Sequence, residues 1–279
     1  MSNNLMPSSL HQSPWFHVQK SIENPSIRLF CFSYAGGSAS AFRDWCHQVP
    51  DQVEVCSVQL PGRGTRFREP SLTCMNLLLD ALVAEITPHF DVPFAFFGHS
   101  MGAQVAFELT RRLRDQSESL PVHLFVSGRC APQIDSSYSD IHNLPEKDFI
   151  EEIKKLNGTP DEALQHPELM ELVSPILRAD IKLIETWKYK DDEPLQVPIT
   201  AMGGAHDEGV TARHLEGWGN QTSRSFDMQL FEGDHFFINS SRSALLNKIS
   251  AMLSPIARSC AQTASRSRHP KVSRFTHVA

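Results

Sequence analysis

No uninterrupted apolar run of about 18 residues occurs in the chain, so nothing in it reads as a membrane-spanning helix. The opening segment MSNNLMPSSLHQSPWFHVQK also lacks the continuous apolar stretch of roughly 7–15 residues that a secretory signal needs, and a cytoplasmic protein is expected. Positive charge is in short supply: 26 Lys and Arg stand against 32 Asp and Glu, a net charge of −6. No global field is therefore available to neutralise phosphates, and nucleic acid is not an expected partner. Cysteines at 31, 46, 56, 74, 130 and 260 show no CxxC spacing, which removes redox motifs and disulfide frameworks and leaves reduced thiols. Thirteen histidines come without HExxH or any Cys/His cluster of ligand spacing, so no metal is expected. No internal repeat is present, which sets solenoid architectures aside.

Strand and helix signals alternate through most of what remains. Residues 1–25 are polar and rich in Ser, Asn and Pro, and are expected to form a flexible arm. Strands are expected at Ile27–Phe32, Val53–Leu60, Pro93–Phe97, Val122–Ser127, Val197–Met202 and Phe226–Phe231, separated by helical spacing over 39–49, 76–90 and 103–113. Parallel strands need crossovers, so this order predicts an α/β architecture: a mostly parallel central sheet with helices on both faces. From residue 135 to 193 the strand signal disappears in favour of helical candidates at 146–156, 167–177 and 179–189. That block cannot extend the sheet, and an inserted helical lid over the loop end of the sheet is expected. A last helix over 241–253 closes a single domain spanning 26–254. The tail 255–279, with five basic and no acidic residues, is expected to be flexible.

Chemistry gathers at the strand ends. Gly98-His99-Ser100-Met101-Gly102 matches GxSxG with a strand before it and a helix after it, the context of a nucleophile elbow in the α/β-hydrolase fold. Serine needs a general base oriented by an acid, and in this fold both follow later in the chain. His235, in Gly233-Asp234-His235-Phe236-Phe237 after the last strand, is the candidate base. Asp207, in the loop after the strand ending at Met202, is the candidate orienting carboxylate, with Asp234 and Glu208 as rivals. The Met101 amide, at a helix N-terminus, is one candidate oxyanion donor. The Ala35 amide is the other, in the Tyr34-Ala35-Gly36-Gly37-Ser38 loop whose Gly36 and Gly37 would let a substrate approach the backbone.

Several of these blocks together resemble the type II thioesterases, stand-alone editing enzymes of nonribosomal peptide and polyketide synthases. The blocks are Phe32-Ser33-Tyr34-Ala35-Gly36-Gly37-Ser38, Gln59-Leu60-Pro61-Gly62-Arg63-Gly64 with Arg66 and Glu69-Pro70, Gly98–Gly102, Ser127-Gly128-Arg129, and Gly233–Phe237. The YAGG loop combined with LPGRGxRxxEP is the particular part. The resemblance implies hydrolysis of acyl groups from the phosphopantetheine thioester of carrier proteins through an acyl-serine. No cofactor beyond the partner's own arm is implied, and a monomer is expected. Ser33 stands where that family usually has proline, and Cys130 where a basic residue is common. Arg63, Arg66 and Arg129 are candidates for positive charge on the rim of the site.

Overall fold

A computed structural model describes residues 10, 12–134, 140–155 and 167–267. Seven strands form one sheet in the order β1-β3-β2-β4-β5-β6-β7. They are β1 (Phe16–His17), β2 (Ile27–Phe32), β3 (Val53–Val58), β4 (Phe94–His99), β5 (Leu124–Ser127), β6 (Ile199–Gly204) and β7 (Phe226–Phe231). All neighbours are parallel except β1, which pairs antiparallel with β3 at the edge. The helices are α1 (Met75–Ile86), α2 (Met101–Asp115), α3 (Glu146–Lys155), α4 (Pro167–Thr186), α5 (Ala212–Glu216), α6 (Phe237–Ser240) and α7 (Arg242–Ser267).

The strand sequences explain why both faces are covered. Successive side chains alternate across a sheet. Phe30 and Phe32 pack with α1 and α2 in one core, whereas Leu29 and Cys31 pack with α7 in the other. In β4, Phe94 and Phe96 join the first core and Ala95 and Phe97 the second. A strand apolar at every position can only sit between two layers. The chain runs from β2 outward to β3 and then returns to β4 on the other side of β2, so the loops after β2 and β4 flank a topological switch point where ligands bind in such sheets.

Several expected boundaries move. The arm expected through residue 25 is part of the fold from Leu10, which is fully buried: Trp15 and Phe16 are buried too, and β1 pairs Phe16 with Val58. The Arg66 guanidinium lies 4.0 Å over the Trp15 ring and ties this segment down, a stacking contact that polar composition conceals. Residues 39–49 form two 3₁₀ turns rather than one helix, because Asp44 between them adopts a left-handed backbone, φ 67°. The two helices expected over 167–177 and 179–189 are one, α4, which continues past Pro175. The closing helix likewise passes Pro255 and ends at Ser267, so the tail's first part is helical: Ile249, Leu253 and Ala257 keep one buried face in register at four-residue spacing. Residues 268–279, with three of the five basic residues of the expected tail, lie outside the described residues, as do 1–9 and 11 of the expected arm and 135–139 and 156–166 of the expected lid.

Two stability predictions arise from polar groups in the sheet. Arg28 on β2 is buried with Glu54 on β3, Nε to Oε2 at 2.9 Å; its Nη1 donates to the His89 carbonyl at 2.9 Å and pairs with Asp91. Arg28→Ala strands the Glu54 carboxylate and is expected to lower unfolding stability by about 3–5 kcal/mol, read by urea titration. His123 is buried against Phe125 and hydrogen-bonds Thr200 Oγ1 at 2.8 Å, and burial pushes its pKa down from 6.5 to about 4. The fold thus holds it neutral, and its stabilisation is complete above pH 6.5 and lost as pH falls toward about 4. His123→Gln is expected to flatten the decline in urea midpoint between pH 7 and pH 4.5 relative to the wild type; an unchanged slope would exclude His123 as a contributor.

Candidate active site

Ser100 sits where β4 gives way to α2, with φ 54° and ψ −116°, a conformation that L-residues rarely adopt. Its neighbours make the strained turn possible. A Cβ on Gly98 would lie 2.1 Å from the Gly102 carbonyl oxygen, and one on Gly102 would lie 2.1 Å from that of Phe32. Only glycine fits either position, so the GxSxG spacing follows from close approach of backbone. The Ser100 amide donates to the Ser127 carbonyl at 2.7 Å, anchoring the turn to β5.

The loop after β6 and the loop after β7 meet beside it. His235 Nδ1 lies 2.6 Å from Asp207 Oδ2, and Asp207 is itself held by the Gly209 and Val210 amides, each 3.0 Å from Oδ1. Both side chains are largely buried. The rivals are engaged elsewhere: Asp234 Oδ1 accepts from the Phe236 amide at 2.8 Å, and Glu208 is exposed. His206 pairs with Glu232 at the surface. His99, fully buried, bonds Ser127 Oγ through Nδ1 at 2.9 Å, and burial holds its pKa well below the ordinary value. Its ring packs 5.1 Å from that of His235, which places the candidate base next to the elbow.

The YAGG loop follows β2, the strand paired with β4, so Ala35 and Ser100 leave neighbouring strands at the same edge. The amides of Ala35 and Met101 make no hydrogen bond to another described residue and remain available as donors. Those of Gly36 and Gly37 are committed: Gly37 donates to the Tyr34 carbonyl at 2.9 Å and Gly36 to Asp180 Oδ2 at 2.7 Å. Both glycines line a cavity at this edge, although Gly37 is itself buried and Leu177 packs over Gly36. Ser33 buries its hydroxyl without a partner just before the loop.

Asp180, on α4, had no signal in the sequence. It forms a bidentate pair with Arg63, Nη1 to Oδ2 at 2.6 Å and Nη2 to Oδ1 at 2.7 Å, and Arg63 Nη1 also reaches the Gly37 carbonyl at 3.3 Å. Asp180 and Arg63 are 1% and 3% exposed, so Arg63 contributes nothing to a charged rim. Arg66 is also buried and bidentate with Glu69, and Arg129 is bound to Gln104 Oε1 at 2.6 Å. The arginines of the LPGRGxR segment are structural: one fixes the loop after β2 to the lid helix, the other fixes the edge segment to the domain. The lid has a small core of its own, with Ile141, Phe149, Ile153, Met170 and Leu177 packed together and Ala35 against them.

A parallel sheet carrying a strained elbow serine, with a carboxylate–histidine pair brought to it by the later strands, defines an α/β-hydrolase. Comparison with known proteins narrows the class. The thioesterase domain family matches residues 27–253. Gramicidin S biosynthesis protein GrsT of Aneurinibacillus migulanus is 49% identical over 82% of this chain and 89% of its own length. Among solved structures, the RedJ thioesterase of the prodiginine pathway in Streptomyces coelicolor superposes with a TM-score of 0.77 at 37% identity, covering 81% of this chain and 90% of RedJ. The type II thioesterase BorB of the borrelidin biosynthetic cluster gives 0.78 at 32% identity over 86% and 97%. The chain belongs to the thioesterase family, as a hydrolase of thioesters related to the type II enzymes of nonribosomal peptide and polyketide pathways.

Proposed function

We propose that this protein removes acyl groups from the phosphopantetheine thioester of carrier proteins, clearing stalled or misprimed synthases, with Ser100, His235 and Asp207 as its catalytic residues. The observation that carries the reading is the 2.6 Å contact between His235 Nδ1 and Asp207 Oδ2, at the sheet edge where Ser100 is raised on its elbow. Similarity to GrsT, RedJ and BorB, whose names place them in gramicidin S, prodiginine and borrelidin biosynthesis, supports a thioester substrate of such a pathway.

The chemistry is a double displacement. His235 Nε2 takes the Ser100 hydroxyl proton as the oxygen attacks the thioester carbonyl, and Asp207 holds the tautomer that leaves Nε2 free to accept. The Ala35 and Met101 amides receive the charge developing on the carbonyl oxygen. The C–S bond breaks, the imidazolium returns its proton to the departing thiol, and an acyl-serine remains. Water, deprotonated by the same His235, then attacks the ester; the acid departs and Ser100 recovers its proton. Water is the only co-reactant the sequence of steps requires, with neither metal nor cofactor. Among the described residues no helix is long and apolar enough to cross a membrane.

The test compares one acyl group on a carrier protein, on coenzyme A and on p-nitrophenol. The carrier thioester is expected to show the highest kcat/KM, and a p-nitrophenyl ester turned over equally well would sink the carrier-specific reading. A fluorophosphonate is expected to label the wild type at Ser100 and to leave Ser100→Ala unlabelled.

A further inference from the structure

We propose that the cavity beside the YAGG loop binds the phosphodiester at the far end of the pantetheine arm, with Arg43 and Arg242 as its two anion ligands. This rests on the carrier-thioester reading above and names a recognition site that the triad does not contain.

The cavity has a volume of about 520 Å³. It is lined by Ala35 and the two glycines, by Val173 and Leu177 of α4, and by Asn239 and Arg242 at the α6–α7 junction just past His235. Arg43, from the turn after the loop, is exposed at its rim. Ala35, whose amide would meet a thioester carbonyl, and two arginines therefore line the same cavity. Its mixed lining, apolar on the lid side and polar along the loop, suits a slender chain of amides and methyl groups.

Seven arginines of the domain, Arg28, Arg63, Arg66, Arg111, Arg112, Arg114 and Arg178, are paired with carboxylates, whereas Arg129 is held by Gln104 and the exposed Arg224 has no carboxylate partner among the described residues. Neither Arg43 nor Arg242 forms an ion pair among the described residues. Arg242 Nε is buried and has no hydrogen-bond acceptor, a state that costs free energy until a ligand supplies one. Asp44 is the carboxylate in the lining, yet it pairs with neither arginine and its Oδ1 accepts from Gln19 Nε2 at 3.3 Å. Guanidinium groups present parallel N–H donors that match the paired non-bridging oxygens of a phosphate. In a chain of net charge −6, two unneutralised arginines in one concavity supply the local attraction that the overall field does not.

The experiment measures kcat/KM for one acyl group on four thiols: pantetheine, 4′-phosphopantetheine, coenzyme A and a phosphopantetheinylated carrier protein. In the wild type the phosphorylated arm is expected to exceed the unphosphorylated one by about tenfold, in line with a charge-assisted bidentate contact. In the Arg43→Ala/Arg242→Ala double variant the ratio is expected to fall close to one. Arg242→Lys should restore part of it, whereas Arg224→Ala, an equal charge change at an exposed position between β6 and β7, should keep the wild-type ratio. Because each ratio is taken within one variant, a general folding loss cancels. A wild-type ratio near one, or an undiminished ratio in the double variant, overturns the site. Loss on the carrier alone, with coenzyme A and phosphopantetheine unaffected, would assign the arginines to the carrier's own surface and also overturns it. A wild type that cleaves p-nitrophenyl esters but none of the four thioesters removes the carrier-thioester reading and the site with it; cleavage of all four at equal efficiency removes the site alone.

Discussion

Asp207→Asn is expected to lower kcat for thioester hydrolysis about 10⁴-fold while the protein stays folded. In the native arrangement Asp207 Oδ1 takes two backbone amides and Oδ2 takes His235 Nδ1. An asparagine retains a single oxygen. If that oxygen stays with the Gly209 and Val210 amides, the new NH₂ faces His235 Nδ1 and selects the tautomer protonated at Nε2. That nitrogen can then no longer accept the Ser100 proton. The loss should appear in kcat with KM little changed, since neither atom touches the acyl chain. Asp234→Asn and Glu208→Gln, which alter the two rival carboxylates, are expected to stay within about threefold of wild type, because His235 Nδ1 is engaged by Asp207 while Asp234 accepts from the Phe236 amide and Glu208 is exposed. Steady-state assay of the three variants decides the assignment. Near-normal turnover by Asp207→Asn, with collapse in either of the others, would move the acid.

What the sequence discloses and what it hides divide along a physical line. The Phe94–Phe97 run could be read as a central strand because a strand buried on both faces is apolar at every position. Gly98 and Gly102 could be read as an elbow because each meets carbonyl backbone at a distance no Cβ tolerates. Chain order and loop position after a strand pointed to Asp207 and His235 but left Asp234 and Glu208 as rivals; the 2.6 Å contact pairs His235 with Asp207. The Arg63–Asp180 pair was not: its members lie 117 residues apart, and an aspartate on an amphipathic lid helix looks the same whether it faces water or a buried guanidinium. The same limit explains why Arg63 and Arg66 read as rim charges, and why the first 25 residues read as an arm. Polar composition does not show that Trp15 has an arginine stacked on it. The closing helix was expected to end before Pro255, yet the apolar stripe on either side remains in register and the helix continues.

Asp180→Asn is expected to reduce kcat about 10²-fold, the scale of losing one oxyanion donor, with KM nearly unchanged. Asp180 is a positioning residue: it holds the loop that carries the proposed oxyanion donor, Ala35. One carboxylate satisfies Arg63 with both oxygens and the Gly36 amide with one of them, and it sits on α4 a turn beyond Leu177, which packs against Gly36. The amide next in line is Ala35. Asparagine turns an NH₂ toward groups that are already donors and leaves the Arg63 charge uncompensated in a site 1–3% exposed. The loop then loses the contact that fixes its height above Ser100. Because the anchor belongs to α4, lifting that helix near residue 180 is expected to loosen the loop that carries the proposed oxyanion donor, Ala35, and so to couple oxyanion binding to the seating of α4. A purely structural role for the pair is separable by replacing both members. Arg63→Met/Asp180→Leu removes the buried charges together and is expected to recover most of the roughly 3–5 kcal/mol that either single truncation costs in urea stability. It should not recover kcat, since no group then holds the Gly36 amide. Recovery of stability and kcat together in the double variant would show that the loop keeps its position without Asp180, and the coupling would fall.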